Sequence, residues 1–230
     1  MTLRLALARS GEADNVEAVT RGRFITFEGG EGAGKSTQLR RLAGRLGVLG
    51  HEVVLTREPG GSPDAEAIRA LLVKGEVDRW SPVTETLLMY AARRDHIERV
   101  IAPALERGAI VVCDRFFDST RAYQGVGGGA AAELIAALET AVVGALVPDL
   151  TLILDLPVAV GLARAAGRGE GEARFEAKGL AFHERLRAAF LEIAAREPHR
   201  CAVIAADAAP DTVEARIWEA VRERLGIAAP

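Results

Sequence analysis

The sequence predicts a three-layer α/β/α domain built on a five-stranded parallel sheet. Short runs rich in β-branched residues alternate along the 230-residue chain with longer segments of helical character, a pattern typical of parallel sheets covered by helices. Two of the runs, at residues 110–113 and 150–154, are almost continuously apolar, as expected of strands buried on both faces. Apolar residues make up 49% of the chain and charged residues 27%, which is the mix of a globular protein.

The predicted strands lie at residues 24–27, 53–56, 110–113, 150–154 and 202–205, and the helices at about 35–49, 64–74, 81–107, 130–146, 157–166, 181–196 and 210–225. The third helix opens at Ser81-Pro82, with serine as the N-cap and proline at the first helical position. Pro103 is expected to kink it.

We expect one domain over residues 23–230, preceded by an extension at residues 1–22 that is disordered or forms a frayed helix. No apolar run in the sequence approaches the roughly 20 residues that cross a bilayer, so no membrane partner is expected. The net charge of −3 gives no overall basic field for nucleic acid. The two cysteines, Cys113 and Cys201, are predicted as strand core residues, which favours a reducing, cytoplasmic location.

A glycine-rich segment links the first predicted strand to the first helix. From Gly29 to Ser36 it fits the pattern G-x-x-x-x-G-K-[ST], in which glycines let backbone amides surround phosphate oxygens at a helix N-terminus. Lys35 would supply a charge to the β- and γ-phosphates, and the Ser36 hydroxyl a ligand for Mg²⁺. The predicted ATP-binding residues are Gly29, Gly30, Glu31, Gly32, Ala33, Gly34, Lys35, Ser36 and Thr37.

The phosphate loop alone does not fix the reaction, because switches, ATPases and small-molecule kinases all use it. Three further segments are informative: T-R-E-P-G-G at 56–61, A-A-R-R at 91–94, and D-R-F-F-D-S-T-R-A-Y-Q-G at 114–125. The first and last follow the carboxyl ends of strands, where ligands bind in such sheets. With the phosphate loop, these motifs in this order resemble the bacterial thymidylate kinase family, from about Arg23 to the C-terminus.

The resemblance implies a P-loop NTPase-type fold with a mobile lid at about 167–179. It also implies transfer of the γ-phosphoryl group of ATP to dTMP, giving dTDP for dTTP synthesis, with Mg²⁺ as cofactor and a homodimer as the assembly. The long helix around residues 91–107 is the expected dimer contact.

The resemblance also assigns roles in acceptor binding. Arg115 would grip the acceptor phosphate with a planar fork suited to bidentate contact, aided by Arg69 and Arg57. Arg93 and Gln124 would hydrogen-bond the thymine edge. The predicted dTMP-binding residues are Glu31, Arg57, Glu58, Arg69, Met89, Arg93, Arg115, Thr120, Tyr123 and Gln124.

Four further roles follow from the same resemblance. Thr120 adds a polar contact near the base, and Tyr123 crowds the sugar 2′ position and so favours deoxyribose. Glu31 would lie near the sugar 3′-hydroxyl or the hydrated metal. Asp114, at the end of an apolar strand, is placed like a Walker B carboxylate, so Ser36 and Asp114 are the predicted Mg²⁺ ligands.

The lid is expected to bring an arginine to the transferred phosphoryl group. Arg168 and Arg174 are the candidates, and Arg174 is favoured because the sequence Arg174-Phe175-Glu176 fits the family pattern better. The predicted catalytic residues are Lys35, Arg115, Arg174, Glu31 and Arg168.

The sequence departs from the family pattern at Met89, where a phenylalanine usually stacks on the thymine. Methionine offers a polarizable sulfur but no flat aromatic face, and it is expected to form the floor under the base. No general base is predicted, because the acceptor phosphate monoester, with a second pKa of about 6, is already anionic. The histidines, His51, His96, His183 and His199, are expected at the surface or beside helices.

Three other functions stay open at this point. The first is a kinase of similar fold that acts on another nucleoside monophosphate. The second is a nucleotide-dependent switch or ATPase, which would hydrolyse ATP without an acceptor. The third is a nucleotide-binding protein without catalysis, although neither Lys35 nor a lid arginine is missing from the sequence.

Overall fold

The computed structural model describes residues 21–76, 78–166 and 178–227. Its strands form one parallel sheet in the order β2-β3-β1-β4-β5. The strands are β1 (Phe24–Glu28), β2 (Val53–Arg57), β3 (Ile110–Asp114), β4 (Leu150–Asp155) and β5 (Cys201–Ala205). All five predicted strands are confirmed, each longer by one residue than expected.

Helices cover both faces of the sheet. They are α1 (Lys35–Val48), α2 (Pro63–Val73), α3 (Pro82–His96), α4 (Ala102–Glu106), α5 (Phe117–Thr120), α6 (Ala132–Val142), α7 (Val158–Ala166), α8 (Leu180–Arg196) and α9 (Pro210–Leu225). On one face, α1 and α9 bury Leu42, Leu46 and Trp218 against β1 and β4. On the other, Tyr90 and Ile101 pack with Phe24 and Phe116. The predicted three-layer α/β/α fold is confirmed.

The strand order determines where a ligand meets the sheet. β1 lies between β3 and β4, so the chain leaves its carboxyl end at the point where the strand order reverses. Phe27 of β1 is in register with Asp114 of β3. The glycine-rich loop after β1 and the Asp114-Arg115 segment after β3 therefore begin side by side.

The prediction of one continuous α-helix over residues 81–107 was wrong. This segment divides into α3, a π-helical turn at Ile97–Ile101, and α4. The amide of Ala102 donates to the carbonyl of Ile97, five residues back. Pro103 has no amide hydrogen to offer the preceding turn, and the wider turn lies directly before it.

Two other departures concern the segment after β3. A second π-helical stretch, Arg121–Gly127, was not predicted. The fourth predicted helix is shorter than residues 130–146, since Gly129 before it and Gly144 after it have φ angles of 80° and 56°, which lie in the left-handed region outside a helix.

A buried ion pair fixes the segment that follows β3. Arg200 donates to both carboxylate oxygens of Asp118, at 2.7 and 2.8 Å, and to Thr151 Oγ1 at 2.8 Å. Thr151 in turn lies 2.8 Å from Thr26 across β4 and β1. Both charges are buried, so removing either partner would leave the other uncompensated. The network ties α5 to the strands that carry the glycine-rich loop.

The predicted extension at residues 1–22 lies mostly outside the described residues. At its end, the Gly22 amide donates to the Leu105 carbonyl at 2.8 Å. Within the described ranges, every helix is too short or too polar to cross a bilayer. The single domain over residues 23–230 stays a prediction.

Candidate functional site

The glycine-rich loop has a backbone that only glycine permits at key points. Gly29, Gly32 and Gly34 have φ angles of 127°, 70° and 88°. A Cβ atom on Gly29 would lie 2.5 Å from the Leu154 carbonyl oxygen, and one on Gly32 would lie 1.9 Å from that of Gly161. No side chain caps the N-terminus of α1. The loop therefore presents backbone amides at a helix N-terminus, the arrangement that binds phosphate.

Lys35 lies at the start of α1 with its ammonium group inside the loop. Its Nζ donates to the carbonyls of Gly29 at 3.0 Å and Gly30 at 2.9 Å. Burial, and after it the positive charge of Arg115, lowers the pKa of Lys35. The two cations repel each other, and a phosphate bound in the loop would relieve that repulsion.

Ser36 and Asp114 meet next to the loop. Ser36 Oγ donates to Asp114 Oδ2 at 2.8 Å, and Asp114 Oδ1 is buried without a hydrogen-bond partner among the described residues. A hydroxyl and a carboxylate are hard oxygen ligands that suit Mg²⁺. No cluster of three or more acidic, histidine or cysteine side chains suited to a metal occurs in the described ranges. The donor set therefore fits a Mg²⁺ that takes most of its ligands from phosphates and water.

Arg115 joins the loop to the segment after β3. It has a φ of 69°, a left-handed conformation that costs a non-glycine residue about 1 kcal/mol or more. Its amide donates to the Phe27 carbonyl at 2.9 Å. Its guanidinium donates to the Gly29 carbonyl at 3.1 Å and to Ser119 Oγ at 3.2 Å. The unusual backbone thus turns a buried guanidinium toward the phosphate loop.

Glu31 balances this charge from the tip of the loop. Its Oε1 accepts from Arg115 Nη2 at 2.8 Å and from the Tyr123 hydroxyl at 2.7 Å. Burial alone would raise the pKa of Glu31, but the charges of Arg115 and Lys35 prevail and lower it to about 2. Glu31 is therefore ionised throughout the physiological pH range and holds Arg115 and Tyr123 in place.

A pocket opens beside Arg115. It is lined by Glu58, Pro59, Met89, Arg93, Arg115, Phe116, Ser119, Thr120, Tyr123 and Gln124. Seven of these lining residues were predicted to bind dTMP. An eighth predicted residue, Glu31, is hydrogen-bonded to two of the seven, Arg115 and Tyr123. The structure thus brings together eight of the ten residues predicted to bind dTMP. The pocket lies next to the phosphate loop, because Arg115 lines the pocket and also donates to the Gly29 carbonyl.

Arg93 is buried with only 2% of its surface exposed. Its Nε donates to Glu58 Oε2 at 2.7 Å and its Nη2 to Thr120 Oγ1 at 3.1 Å. The remaining nitrogen, Nη1, is buried and has no partner among the described residues. Because an unpaired buried donor is costly, Nη1 is the atom that a ligand in the pocket would satisfy.

The expected positions of two histidines were wrong. His96 is fully buried, with Nδ1 hydrogen-bonded to Glu58 Oε1 at 2.9 Å and Nε2 lying 2.6 Å from Thr56 Oγ1. His183 is also buried, beside Glu31, in a second small pocket behind the loop. Their helices pack these faces inward, which a single sequence does not reveal. His96 fixes Glu58, and through it Arg93.

Arg57 and Arg69 do not line the pocket. Arg57 is more than half exposed and pairs with Glu66 at 3.1 Å. Arg69 donates to the Pro59 carbonyl at 2.7 Å. Both lie at the rim on the side of β2 and α2. Arg168 and Arg174, the candidate lid residues, and nearly all of the predicted lid fall outside the described residues.

Sequence reasoning missed Glu28, which is fully buried at the end of β1. Its Oε1 accepts from the amides of Phe116 at 2.7 Å and Ser119 at 3.3 Å, and its Oε2 from Ser119 Oγ at 2.6 Å. Burial and then the nearby charge of Asp118 raise the pKa of Glu28 to about 7. A glutamate that ends an apolar strand directly before a glycine-rich loop was the available signal.

Comparisons with known proteins agree with this geometry. The family model described as thymidylate kinase matches residues 27–217. The thymidylate kinase of Caulobacter vibrioides is 72% identical over 209 residues, covering 91% of this chain and all of the relative. That of Bradyrhizobium sp. strain BTAi1 is 58% identical, covering 89% of this chain and 92% of the relative. A crystal structure of thymidylate kinase from Ehrlichia chaffeensis matches with a TM-score of 0.72 and 35% identity, covering 87% of this chain and 99% of that one.

The raised pKa of Glu28 predicts a pH-dependent stability. The folded protein holds a proton on Glu28 up to a pH of about 7, whereas the unfolded chain releases it near the ordinary value of 4.5. The free energy of unfolding should therefore fall as pH rises through this window. Glu28→Gln preserves the size of the side chain and removes the titration. Relative to the wild type, the variant should gain about 3 kcal/mol between the two pH values.

Urea unfolding at several pH values measures this difference. Glu133→Gln, the same change on an exposed carboxylate of α6, is the control and should follow the wild type. Parallel stability curves for Glu28→Gln and the wild type would contradict the assignment.

Proposed function

The chain belongs to the thymidylate kinase family, and we propose that its reaction, transfer of the γ-phosphoryl group of ATP to dTMP, occurs between the phosphate loop and the pocket of Arg93. The observation that carries this proposal is the position of Arg115. Its guanidinium donates to the Gly29 carbonyl of the loop and also lines the pocket. A phosphate in the pocket would therefore lie next to a phosphate in the loop.

The donor side consists of the loop and α1. Backbone amides of Gly29–Ser36 surround the phosphates of ATP, and Lys35 exchanges its carbonyl partners for phosphate oxygens. Ser36 and Asp114 hold the Mg²⁺. When bound, the ion neutralises charge on the donor phosphates.

On the acceptor side, Arg93 and Gln124 hydrogen-bond the thymine edge, with Thr120 beside them and Met89 below the base. Tyr123 and Glu31 face the sugar. Arg115 grips the 5′-phosphate, and Arg57 and Arg69 at the rim add positive charge to the same group. Buried polar groups of this kind reject a base that cannot pair with them.

The chemistry needs no general base, because the attacking phosphate oxygen is already anionic near neutral pH. Catalysis comes from positioning and from neutralising charge on the transferred group. His96 takes no part in proton transfer, since it is fully buried and does not line the pocket.

A panel of nucleoside monophosphates in a coupled ADP-release assay tests the substrate. With ATP and Mg²⁺, dTMP should be converted to dTDP with the highest kcat/KM. A different preferred acceptor would indicate another nucleoside monophosphate kinase. ATP hydrolysis without any phosphorylated product would indicate a switch or ATPase. Omission of Mg²⁺ should abolish turnover, and undiminished turnover in EDTA would contradict the metal site.

The lid arginine is a separate proposal. Arg174 stabilises the charge on the transferred phosphoryl group, so Arg174→Ala should lower kcat by about 10²- to 10³-fold. The affinity for ATP should change far less. Arg168→Ala, the same change at the other candidate, is the comparison, and the larger loss of kcat identifies the arginine that is used. Steady-state kinetics with nucleotide titrations separate the two effects, and an unchanged kcat for Arg174→Ala would reject this role.

Met89 forms the floor under the thymine. It is buried at the pocket wall, so Met89→Ala should raise the KM for dTMP about tenfold through lost apolar contact. Met89→Phe should keep a low KM because it supplies an aromatic face. If the alanine variant keeps the wild-type KM, the base does not rest on this residue.

We also propose that the enzyme is a cytoplasmic homodimer. Val83, Leu87 and Ala91 form an exposed apolar row at four-residue spacing along α3, which continues toward the helix expected to make the contact. Sedimentation at micromolar concentration should give a dimer, and a monomer would contradict the proposed assembly.

The proposed cytoplasmic location is supported by the cysteines. Cys113 and Cys201 are free and buried, in keeping with a reducing compartment. Cell fractionation tests the location.

A further inference from the structure

The side-chain amide of Gln124 is fixed by a neighbour on α3. Gln124 Nε2 donates to Glu85 Oε1 at 2.8 Å, and both side chains are buried. The Glu85 oxygen accepts this hydrogen bond, and only the NH₂ group of the amide can donate one, so the amide nitrogen faces Glu85. Glu85 therefore fixes the orientation of the Gln124 amide, with the carbonyl oxygen directed away from Glu85.

The other end of the amide is its carbonyl oxygen, Oε1. No donor in the described part of the chain reaches this atom, and the Gln124 side chain lines the pocket. Arg93 supplies the complementary feature, since its Nη1 is a buried donor without a partner among the described residues. The pocket thus offers one fixed acceptor and one fixed donor to the edge of a base.

We propose that Glu85 is a positioning residue that sets the base specificity of this kinase by locking the Gln124 amide with its carbonyl oxygen toward the base. The inference rests on the proposed function, because it assumes that the pocket holds the pyrimidine of the acceptor. Glu85 does not line the pocket itself, so its proposed effect on the base passes through Gln124.

The pattern of donor and acceptor matches one class of pyrimidine. Thymine and uracil carry a hydrogen on N3 and an oxygen on C4, which pair with Gln124 Oε1 and Arg93 Nη1. Cytosine has the opposite pattern, because its N3 carries no hydrogen and accepts, while the amino group on C4 donates. Its N3 would face the Gln124 oxygen with no hydrogen between them, leaving buried polar atoms unpaired. A Gln124 amide free to turn over would donate to N3 and remove this part of the rejection.

Glu85→Gln preserves the size of the side chain but no longer fixes the Gln124 amide in one orientation, because a glutamine at this position both donates and accepts hydrogen bonds. The kcat/KM ratio of dTMP to dCMP should fall by about tenfold, the scale of one unpaired buried group. Arg93 would keep the rest of the discrimination. If turnover of dCMP is too slow to follow, its inhibition constant against dTMP gives the same ratio. Glu85→Met, which offers no acceptor, should change the ratio in the same direction and serves if Glu85→Gln folds poorly.

dUMP is the matched control substrate, because uracil has the same edge as thymine and lacks only the methyl group. The dTMP to dUMP ratio should stay within about twofold of the wild type, since each edge pairs equally well with the fixed amide. Glu133→Gln should leave both ratios unchanged. A pocket that had merely loosened would lower both ratios together, and that result would overturn the proposal.

An unchanged dTMP to dCMP ratio in both Glu85 variants would also overturn it. Failure of the proposed function is recognised separately: the wild-type enzyme would then not convert dTMP to dTDP at all. An active wild type with unaffected Glu85 variants leaves the proposed function standing and removes only the role of Glu85.

Discussion

The ion pair between Arg115 and Glu31 is the interaction on which the site depends. It joins the tip of the phosphate loop to the segment after β3, with its atoms 2.8 Å apart and nearly buried. Two cations, Lys35 and Arg115, are held close together beneath the space for two anionic ligands. Their mutual repulsion is offset by Glu31, whose charge is fixed by the same two neighbours. The protein can thus keep an anion-binding site formed before any phosphate arrives, which is what catalysis by positioning requires.

A second constraint is a set of three buried glutamates that are hydrogen-bonded to residues of the pocket. Glu58 holds Arg93, Glu85 holds Gln124, and Glu28 holds the amides beside Arg115. Burying a carboxylate is costly unless its oxygens are hydrogen-bonded. Each of these three accepts from the group that it orients, so the same bonds that offset the cost of burial also fix a functional side chain. Glu85 and Glu28 thus orient groups of the pocket from outside its lining, whereas Glu58 is part of the lining itself.

The sequence predicted what depends on local pattern. The strands follow from runs of β-branched residues, and the loop from a motif whose two fixed glycines, Gly29 and Gly34, both have positive φ angles. The supporting carboxylates were missed, apart from Glu58, because their partners are distant in sequence: Glu85 and Gln124 are 39 residues apart, and Glu28 and Ser119 are 91 apart. The burial of His96 was missed for the same reason, since it depends on how α3 packs on β2. The roles given to the individual site residues stay predictions, while the fold is confirmed.

The left-handed backbone of Arg115 links these constraints. A non-glycine residue keeps such a conformation only when its surroundings over-determine it. Here the amide of Arg115 is held by Phe27, its guanidinium by Gly29 and Glu31, and the turn that follows by Glu28. A glycine would relieve the backbone strain but would remove the cation, and no other side chain offers the same planar fork. Strain at this one residue is thus the consequence of placing a guanidinium group at the carboxyl end of β3, where it contacts the phosphate loop and also lines the pocket.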